Sequence, residues 1–271
     1  MRGFNRFCRI WLYIVYAILF IPIVIVVLMS FNQSEYGTFP IKFTLDWYIL
    51  LFTESNLLSA TWLSIWFSFV VALAAVVIGV MAAIGMRGMS KKALNMFSTL
   101  LNVPIIIPWL VLSTALLILF NAVGIGRSYI GMFLGNLTVV IPYVVLVVYG
   151  RMSGTDTMPE EAARTLGAGS LRILIDITLP EAFPAILSGG LMAFVVCFNN
   201  FVVQYYLAPF GVRTLPLEIY NMVRVGYKPD MNALASIIML FSVILVVLVS
   251  KLGFKAGHIS NLRSNMNKPV D

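Results

Sequence analysis

Few residues in this 271-residue chain could carry out enzymatic or metal chemistry. It has two cysteines, Cys8 and Cys197, and one histidine, His258. They do not show the spacing of metal ligands, or of a nucleophile and its base. Gly124–Gly126 and Gly167–Gly169 follow no predicted strand, so neither fits a nucleotide-binding loop. We therefore expect no catalytic residue, no metal, no cofactor and no ATP-hydrolysing site in this chain.

Charged side chains concentrate in residues 151–183, which hold eight of the chain's 29 charges. Thr157-x-x-Glu160 is the pattern of a capping box and predicts the start of a helix. Gly167 and Gly169 predict a left-handed turn that ends this helix. Apolar residues at spacings of 3 or 4 predict a second amphipathic segment over 170–179, which Pro180 should end. Such a helix–turn–helix would suit docking of a soluble partner, and the alternative is an amphipathic loop that rests on the membrane.

A second polar group lies inside an otherwise apolar run and consists of Asn199, Asn200 and Gln204, followed by Tyr205. Asn200 and Gln204 are four residues apart and would share one face of a helix. Unpaired amides are costly in hydrocarbon, so these side chains should face a water-filled path or another helix. Both interpretations remain open. The ring of Tyr205 could contact a cationic solute.

The elements that position these groups follow from the composition. The chain is 61% hydrophobic and only 11% charged, with a mean hydropathy of +0.97. These values exclude a soluble globular protein and a disordered one. Each of six separated charge-free runs is long enough for a helix to cross a bilayer. The predicted transmembrane helices cover residues 10–30, 59–86, 97–120, 129–150, 184–207 and 231–252.

Lys and Arg are distributed unevenly over the loops between these helices. The side that carries both termini and residues 151–183 holds 13 of the 18 basic residues, so it should be cytoplasmic. The net charge of +7 reflects this bias and does not indicate nucleic acid binding. The first run could be a signal peptide, but its length favours a retained helix. We expect one transmembrane domain over residues 1–271, with a polar tail at 253–271.

The loop resembles a known family. Residues 161–180 match the EAA motif of bacterial ABC importer permeases at every fixed position and at the full spacing. The fixed positions are Glu161, Ala162, Ala163, Gly167, Ile177, Leu179 and Pro180. Four other segments are similar to the spermidine/putrescine permease branch, namely Phe43–Tyr48, the stretch with Pro104 and Pro108, Leu215–Tyr220 and Val225–Ala235.

The resemblance implies an all-α membrane protein with the type I ABC importer fold, located in the bacterial cytoplasmic membrane. In the family, residues 161–180 couple the permease to a separate ATPase dimer, which binds ATP and Mg²⁺. Glu161 would make polar contacts there, Ala162 and Ala163 would allow close approach, and Gly167 would permit the turn. A second permease subunit, expected to differ from this one, and an extracellular or periplasmic substrate-binding protein complete the implied complex.

The resemblance also predicts a substrate, which would be a polyamine such as spermidine or putrescine. Relatives in this branch often carry an acidic pair where this chain has Asn199-Asn200, and none of the six predicted spans contains Asp or Glu. An importer of another small solute, such as an amino acid, is therefore an alternative. A stand-alone secondary transporter is a weaker one, because it would need ionisable residues within the membrane. An integral membrane enzyme has no catalytic group to support it.

Overall fold

The computed structural model describes residues 2–34, 38, 40–225 and 229–244, which form helices and no strand apart from an isolated bridge between Asn32 and Phe43. The helices are α1 (Arg2–Met29), α2 (Asp46–Thr53), α3 (Leu57–Arg87), α4 (Lys91–Ile106), α5 (Trp109–Ala122), α6 (Tyr129–Ser153), α7 (Met158–Thr165), α8 (Ser170–Ile173), α9 (Leu179–Phe198), α10 (Phe201–Leu207), α11 (Leu215–Val225) and α12 (Asp230–Ile244).

The chain divides into two compact units. One comprises Met1–Leu58 with Met222–Asp271, and the other Ser59–Asn221. In the first unit, α1 is exposed along the apolar part of its length. The rings of Phe31 and Phe43 are stacked, with their centroids 5.5 Å apart. The Trp47 indole N–H donates to the Asn32 carbonyl oxygen at 2.6 Å. These contacts fold the segment at 43–48 back against the residues that follow α1.

Among the described residues, four helical stretches are long and apolar enough to cross a bilayer. They are Phe7–Met29, Leu57–Arg87, Tyr129–Ser153 and Ser170–Phe198. The predicted span at 97–120 is instead a pair of helices, α4 and α5, bent by 101°. Pro108 explains the break, because its ring disfavours helical geometry at Ile107, which is extended at φ −67° and ψ 132°.

The fifth predicted span also has different bounds. The helix expected over 184–207 ends at Phe198, and a short separate helix, α10, follows it. The helix expected over 231–252 is described as Asp230–Ile244. Residues 245–252, the tail at 253–271 and His258 lie outside the described residues.

The core of the second unit forms where α3, α6 and α9 meet. Val140, Val144 and Val148 of α6 are fully buried among residues of α3 and α9, including Val71 and Ala193. Small residues allow this approach, as is common between helices in lipid. A Cβ added to Gly79 of α3 would lie 2.7 Å from Val144 Cγ1, and one added to Gly189 of α9 would lie 3.3 Å from Val144 Cα. The packed helices α6 and α9 therefore support the loop at 151–183, which connects them.

Candidate functional site

The first half of the candidate site is α7, which carries the first motif residues. Glu161 and Ala162 are exposed on it and Ala163 is partly buried. The predicted capping box is wrong, because the Thr157 side chain makes no capping hydrogen bond. Its hydroxyl donates instead to the Glu161 carboxylate at 3.1 Å. The motif glutamate is thereby held at the surface, beside two small side chains that allow a partner to approach closely.

A residue with left-handed backbone conformation ends α7, as predicted, but only one of the two glycines adopts that conformation. Gly167 has φ +86°, whereas Gly169 has an ordinary φ of −70°. The Ala168 backbone amide donates to the Ala163 carbonyl at 3.0 Å, and the Gly167 backbone amide donates to the Arg164 carbonyl at 2.9 Å. This pair of bonds is a Schellman motif and satisfies carbonyls that the helix end would leave unpaired.

The prediction that Pro180 ends the second segment is wrong. Helix continues from Ser170 to Phe198, with a π-turn at Leu174–Thr178 where the backbone bonds to the fifth preceding residue. The Leu179 amide donates to Leu174 in this turn. A proline inside a helix has no amide to donate and clashes with the carbonyl four residues earlier. The wider π-turn relieves both problems, so Pro180 lies in the first turn of α9.

Several large apolar side chains of this region are exposed. Met158 and Leu166 lie at the two ends of α7 and are 71% and 87% exposed, and Leu171 of α8 is 70% exposed. Ile177 and Leu179 are partly buried, and Pro180 is exposed. We call the exposed surface formed by Met158, Glu161, Ala162, Leu166 and Leu171 the coupling surface. Its apolar rim and single carboxylate suit a protein partner better than water.

Glu160, which sequence reasoning assigned to a helix cap, instead joins three elements. The Arg87 guanidinium at the end of α3 donates to both carboxylate oxygens of Glu160, at 2.8 and 3.1 Å. The Thr178 hydroxyl of the π-turn donates to Glu160 Oε1 at 2.8 Å. The hydrogen bond from Arg87 is the main cause that holds the pKa of Glu160 below its ordinary value, against the opposing effect of burial. Sequence reasoning missed this contact because nothing local links residues 73 positions apart.

The second polar group lies where α9 ends. Asn199 is exposed, and its amide donates to the Val195 carbonyl at 3.0 Å. Asn200 is fully buried and caps α10, accepting from the Val203 amide at 3.1 Å, while its own amide nitrogen has no partner among the described residues. The two asparagines thus form a break between α9 and α10, and Asn200 caps the helix that carries Gln204.

Gln204 is fully buried, and both ends of its amide are bonded within the chain. Its nitrogen donates to the Cys197 carbonyl at 2.9 Å, and its oxygen accepts from the Thr214 hydroxyl at 2.5 Å. The Cys197 carbonyl belongs to the last turn of α9, where helical donors run out. Gln204 therefore fastens α9, α10 and the segment before α11 to one another. That these residues line a solute path stays a prediction.

Aromatic and basic side chains surround α10 on its more exposed side. Tyr205 is 39% exposed. The centroid of its ring lies 5.3 Å from that of Phe201 and 5.5 Å from that of Tyr220 of α11. Arg127 donates to the Tyr205 and Ala208 carbonyls at 3.0 Å each and lies 4.5 Å above the Phe210 ring. The rings could contact an organic cation, while Arg127 satisfies the carbonyl end of α10.

An apolar groove of the second unit lies between α3 and α9. It has a volume of about 670 Å³, and its walls include Trp66 and Phe69 of α3 and Phe183 and Phe194 of α9. Nothing in these walls could replace the hydration of a polar solute. The polar groups suited to such a solute lie instead at the end of α9. Within the described ranges, no group of three His, Cys, Asp or Glu side chains could hold a metal ion.

Comparison with known proteins places this geometry in context. Residues 75–256 match the family described as binding-protein-dependent transport system inner membrane component. The spermidine/putrescine transport system permease protein PotC of Haemophilus influenzae is 35% identical over 248 residues, which are 92% of this chain and 96% of that protein. The putrescine transport system permease protein PotI of Escherichia coli is 32% identical over 231 residues, 83% of this chain and 82% of that protein.

Two solved structures share the fold at low identity. A bacterial ABC transporter involved in the import of the acidic polysaccharide alginate has a TM-score of 0.69 at 17% identity, covering 94% of this chain and 96% of that one. The methionine ABC transporter MetNI in an inward-facing conformation has a TM-score of 0.55 at 20% identity, covering 76% and 95%. The helical arrangement is therefore that of ABC importer permeases.

Proposed function

We propose that this chain, which belongs to the family of binding-protein-dependent transport system inner membrane components, is the permease subunit of an ATP-driven importer of polyamines. The observation that supports a role in coupling to an ATPase is the exposure of the coupling surface. It displays Glu161 and Ala162 on α7, ahead of a turn that Gly167 makes. The substrate rests on the relatives, since both permeases described above are named for polyamine transport.

The chain would work with three partners in the bacterial cytoplasmic membrane. A separate pair of ATPase subunits would bind ATP and Mg²⁺ and receive the coupling surface in a cleft. A second, different permease subunit would complete the solute path, and an external binding protein would deliver the solute. Both termini and the loop at 151–183 would face the cytoplasm, where the excess of Lys and Arg predicts them to lie.

Transport would then follow from rigid-body motion. Closure of the ATPase pair on ATP would push the coupling helices of the two permeases together. Each α7 would carry its helix bundle with it, opening the path outward to the binding protein. The exposed Asn199 at the polar break and the ring of Tyr205 would line that path, while the buried Asn200 and Gln204 would hold the break in shape. Aromatic faces attract organic cations, which suits a polyamine.

One observation favours a second candidate substrate. Asn199-Asn200 offers amides where a polycation would be better matched by carboxylates. Amides can hydrogen-bond to a zwitterion or a neutral polar solute as readily as to a cation. An amino acid or a related compound is therefore the second candidate, imported by the same mechanism.

Uptake by the purified complex in proteoliposomes tests the proposal. We expect ATP-dependent uptake of labelled spermidine or putrescine that requires the binding protein and ceases with a hydrolysis-deficient ATPase subunit. Unlabelled polyamines should compete, and amino acids should not. Competition by amino acids alone would assign the second candidate, and uptake without ATP or an ATPase subunit would overturn the importer.

A further inference from the structure

The contact between Arg87, Glu160 and Thr178 lies outside the motif residues and has no part in the coupling surface. Its three members come from the end of α3, the first turn of α7 and the π-turn that leads into α9. The Arg87 and Glu160 side chains are only 25% and 16% exposed. α7 therefore has a fixed, partly buried attachment to the two helices that pack with α6 in the core.

The geometry of the attachment fixes orientation as well as distance. Two parallel hydrogen bonds between a guanidinium and a carboxylate hold both planes in register, which a single bond would not. Glu160 Oε1 also accepts the Thr178 hydroxyl, so one oxygen is shared by α3 and the π-turn. The partial burial limits competition from water and screening by salt.

The attachment matters because α7 is otherwise joined to this bundle through the short turns on either side of it. Gly154 precedes it, and the left-handed Gly167 follows it. A cavity of about 370 Å³ beside the attachment is lined by Ile84, Arg164 and Leu171, among others. α7 thus does not pack tightly against α3 along its length. A displacement of α7 into this cavity would leave α3 in place.

We propose that Arg87, Glu160 and Thr178 form a clamp that transmits displacement of α7 to α3 and α9. This inference rests on the proposed function, since it assumes that a partner displaces α7. The three are positioning residues that act on transport through α7. Without the clamp, α7 would still bind the ATPase through the coupling surface, but its motion would move the helix bundle less.

The coupling ratio, measured as solute imported per ATP hydrolysed in proteoliposomes, tests the clamp. Arg87→Glu and Glu160→Arg should each lower this ratio by about tenfold while the complex still assembles and hydrolyses ATP. The charge-swapped double variant should recover most of it. Lys91→Glu, an equal charge change at an exposed position on α4, should leave the ratio at the wild-type value. Unchanged ratios in both single variants would overturn the clamp.

A second measurement needs no transported solute. Spin labels at Thr165→Cys of α7 and Met81→Cys of α3, in a Cys8→Ser background, report the distance between these helices in the purified complex. We expect one narrow distance with the clamp, a broad distribution in Arg87→Glu, and recovery in the double variant. A narrow distance in Arg87→Glu would overturn the clamp. A wild-type complex that imports no polyamine yet shows the expected distances would overturn the substrate assignment alone.

Discussion

The guanidinium of Arg87 and the carboxylate of Glu160 face each other through two hydrogen bonds of 2.8 and 3.1 Å, although 73 residues separate them in the chain. Glu160 is the immediate neighbour of Glu161, yet the two acids have opposite surroundings. Glu160 faces inward and holds α7 to the bundle, whereas Glu161 is exposed on the coupling surface. Adjacent carboxylates on one short helix thus differ, since one is paired within the chain and the other is exposed and accessible to a partner.

Glu161→Lys and Gly167→Pro should each abolish ATP-coupled uptake while membrane insertion remains normal. The first change reverses the charge of the coupling surface. The second is incompatible with φ +86° and removes the amide that donates to Arg164. Transport assays and membrane fractionation measure the two effects. Gly169→Ala is the matched control, because Gly169 has φ −70° and open space around it, and it should transport normally. Normal uptake by either test variant would contradict the coupling role.

The clamp should be insensitive to pH across the physiological range. The pKa of Glu160 lies below its ordinary value, so its ion pair stabilises the structure fully above about pH 4.3 and is lost only at lower pH. Arg164 favours the charged form as well, while Glu181 lines the same small cavity as Glu160. The spin-label distance should therefore stay constant from pH 8 to pH 5. Glu160→Gln should broaden it at every pH, and broadening of the wild-type distance near pH 6 would show that the pKa is raised.

Gly79→Ala should destabilise the chain by about 1–3 kcal/mol, because the added methyl overlaps Val144 in the core. Val144→Ala in the same chain should recover part of the loss by making room. Gly85→Ala on the same helix has nothing within 4 Å and should be neutral, or stabilising by up to about 1 kcal/mol. Thermal unfolding in detergent compares the three variants. Equal losses for Gly79→Ala and Gly85→Ala would mean that helix packing at Val144 is not the cause.

Gln204→Met should lower thermal stability and leave substrate selectivity unchanged. The substitution keeps the volume but leaves the buried Thr214 hydroxyl without its acceptor and removes one of the donors to the Cys197 carbonyl, at a cost of about 1–3 kcal/mol. Asn199→Ala at the exposed neighbouring position should change stability little. Unfolding temperature and a competition series with polyamines and amino acids separate the two roles. An altered order of competitors for Gln204→Met would instead assign Gln204 to the solute path.

Much of the function could be predicted from residues close together in the chain. The family assignment from residues 161–180 is confirmed by the family match and by relatives that cover most of the chain. The left-handed turn at Gly167 is also as predicted. Each of these depends on local rules, because a turn, a cap or an amphipathic period involves neighbours within a few residues.

The errors have a common physical origin. Glu160 has the right spacing for a capping box, but a charged partner from α3 gives it two stronger hydrogen bonds. Pro180 has the local properties of a helix end, but the backbone widens into a π-turn so that the helix continues. In both cases a favourable local pattern competes with an arrangement that several elements stabilise together.

Local patterns in the chain are enough to establish its apolar helical character, the loop that carries the motif and the family. Three features depend instead on how the helices pack: Arg87 pairs with Glu160, Gln204 is fully buried with both ends of its amide bonded, and α4 and α5 are bent at Pro108. Hydrophobic runs and turn residues act through their own neighbours. Pairing between distant polar groups depends on which helices pack together, and that is settled only when the bundle forms.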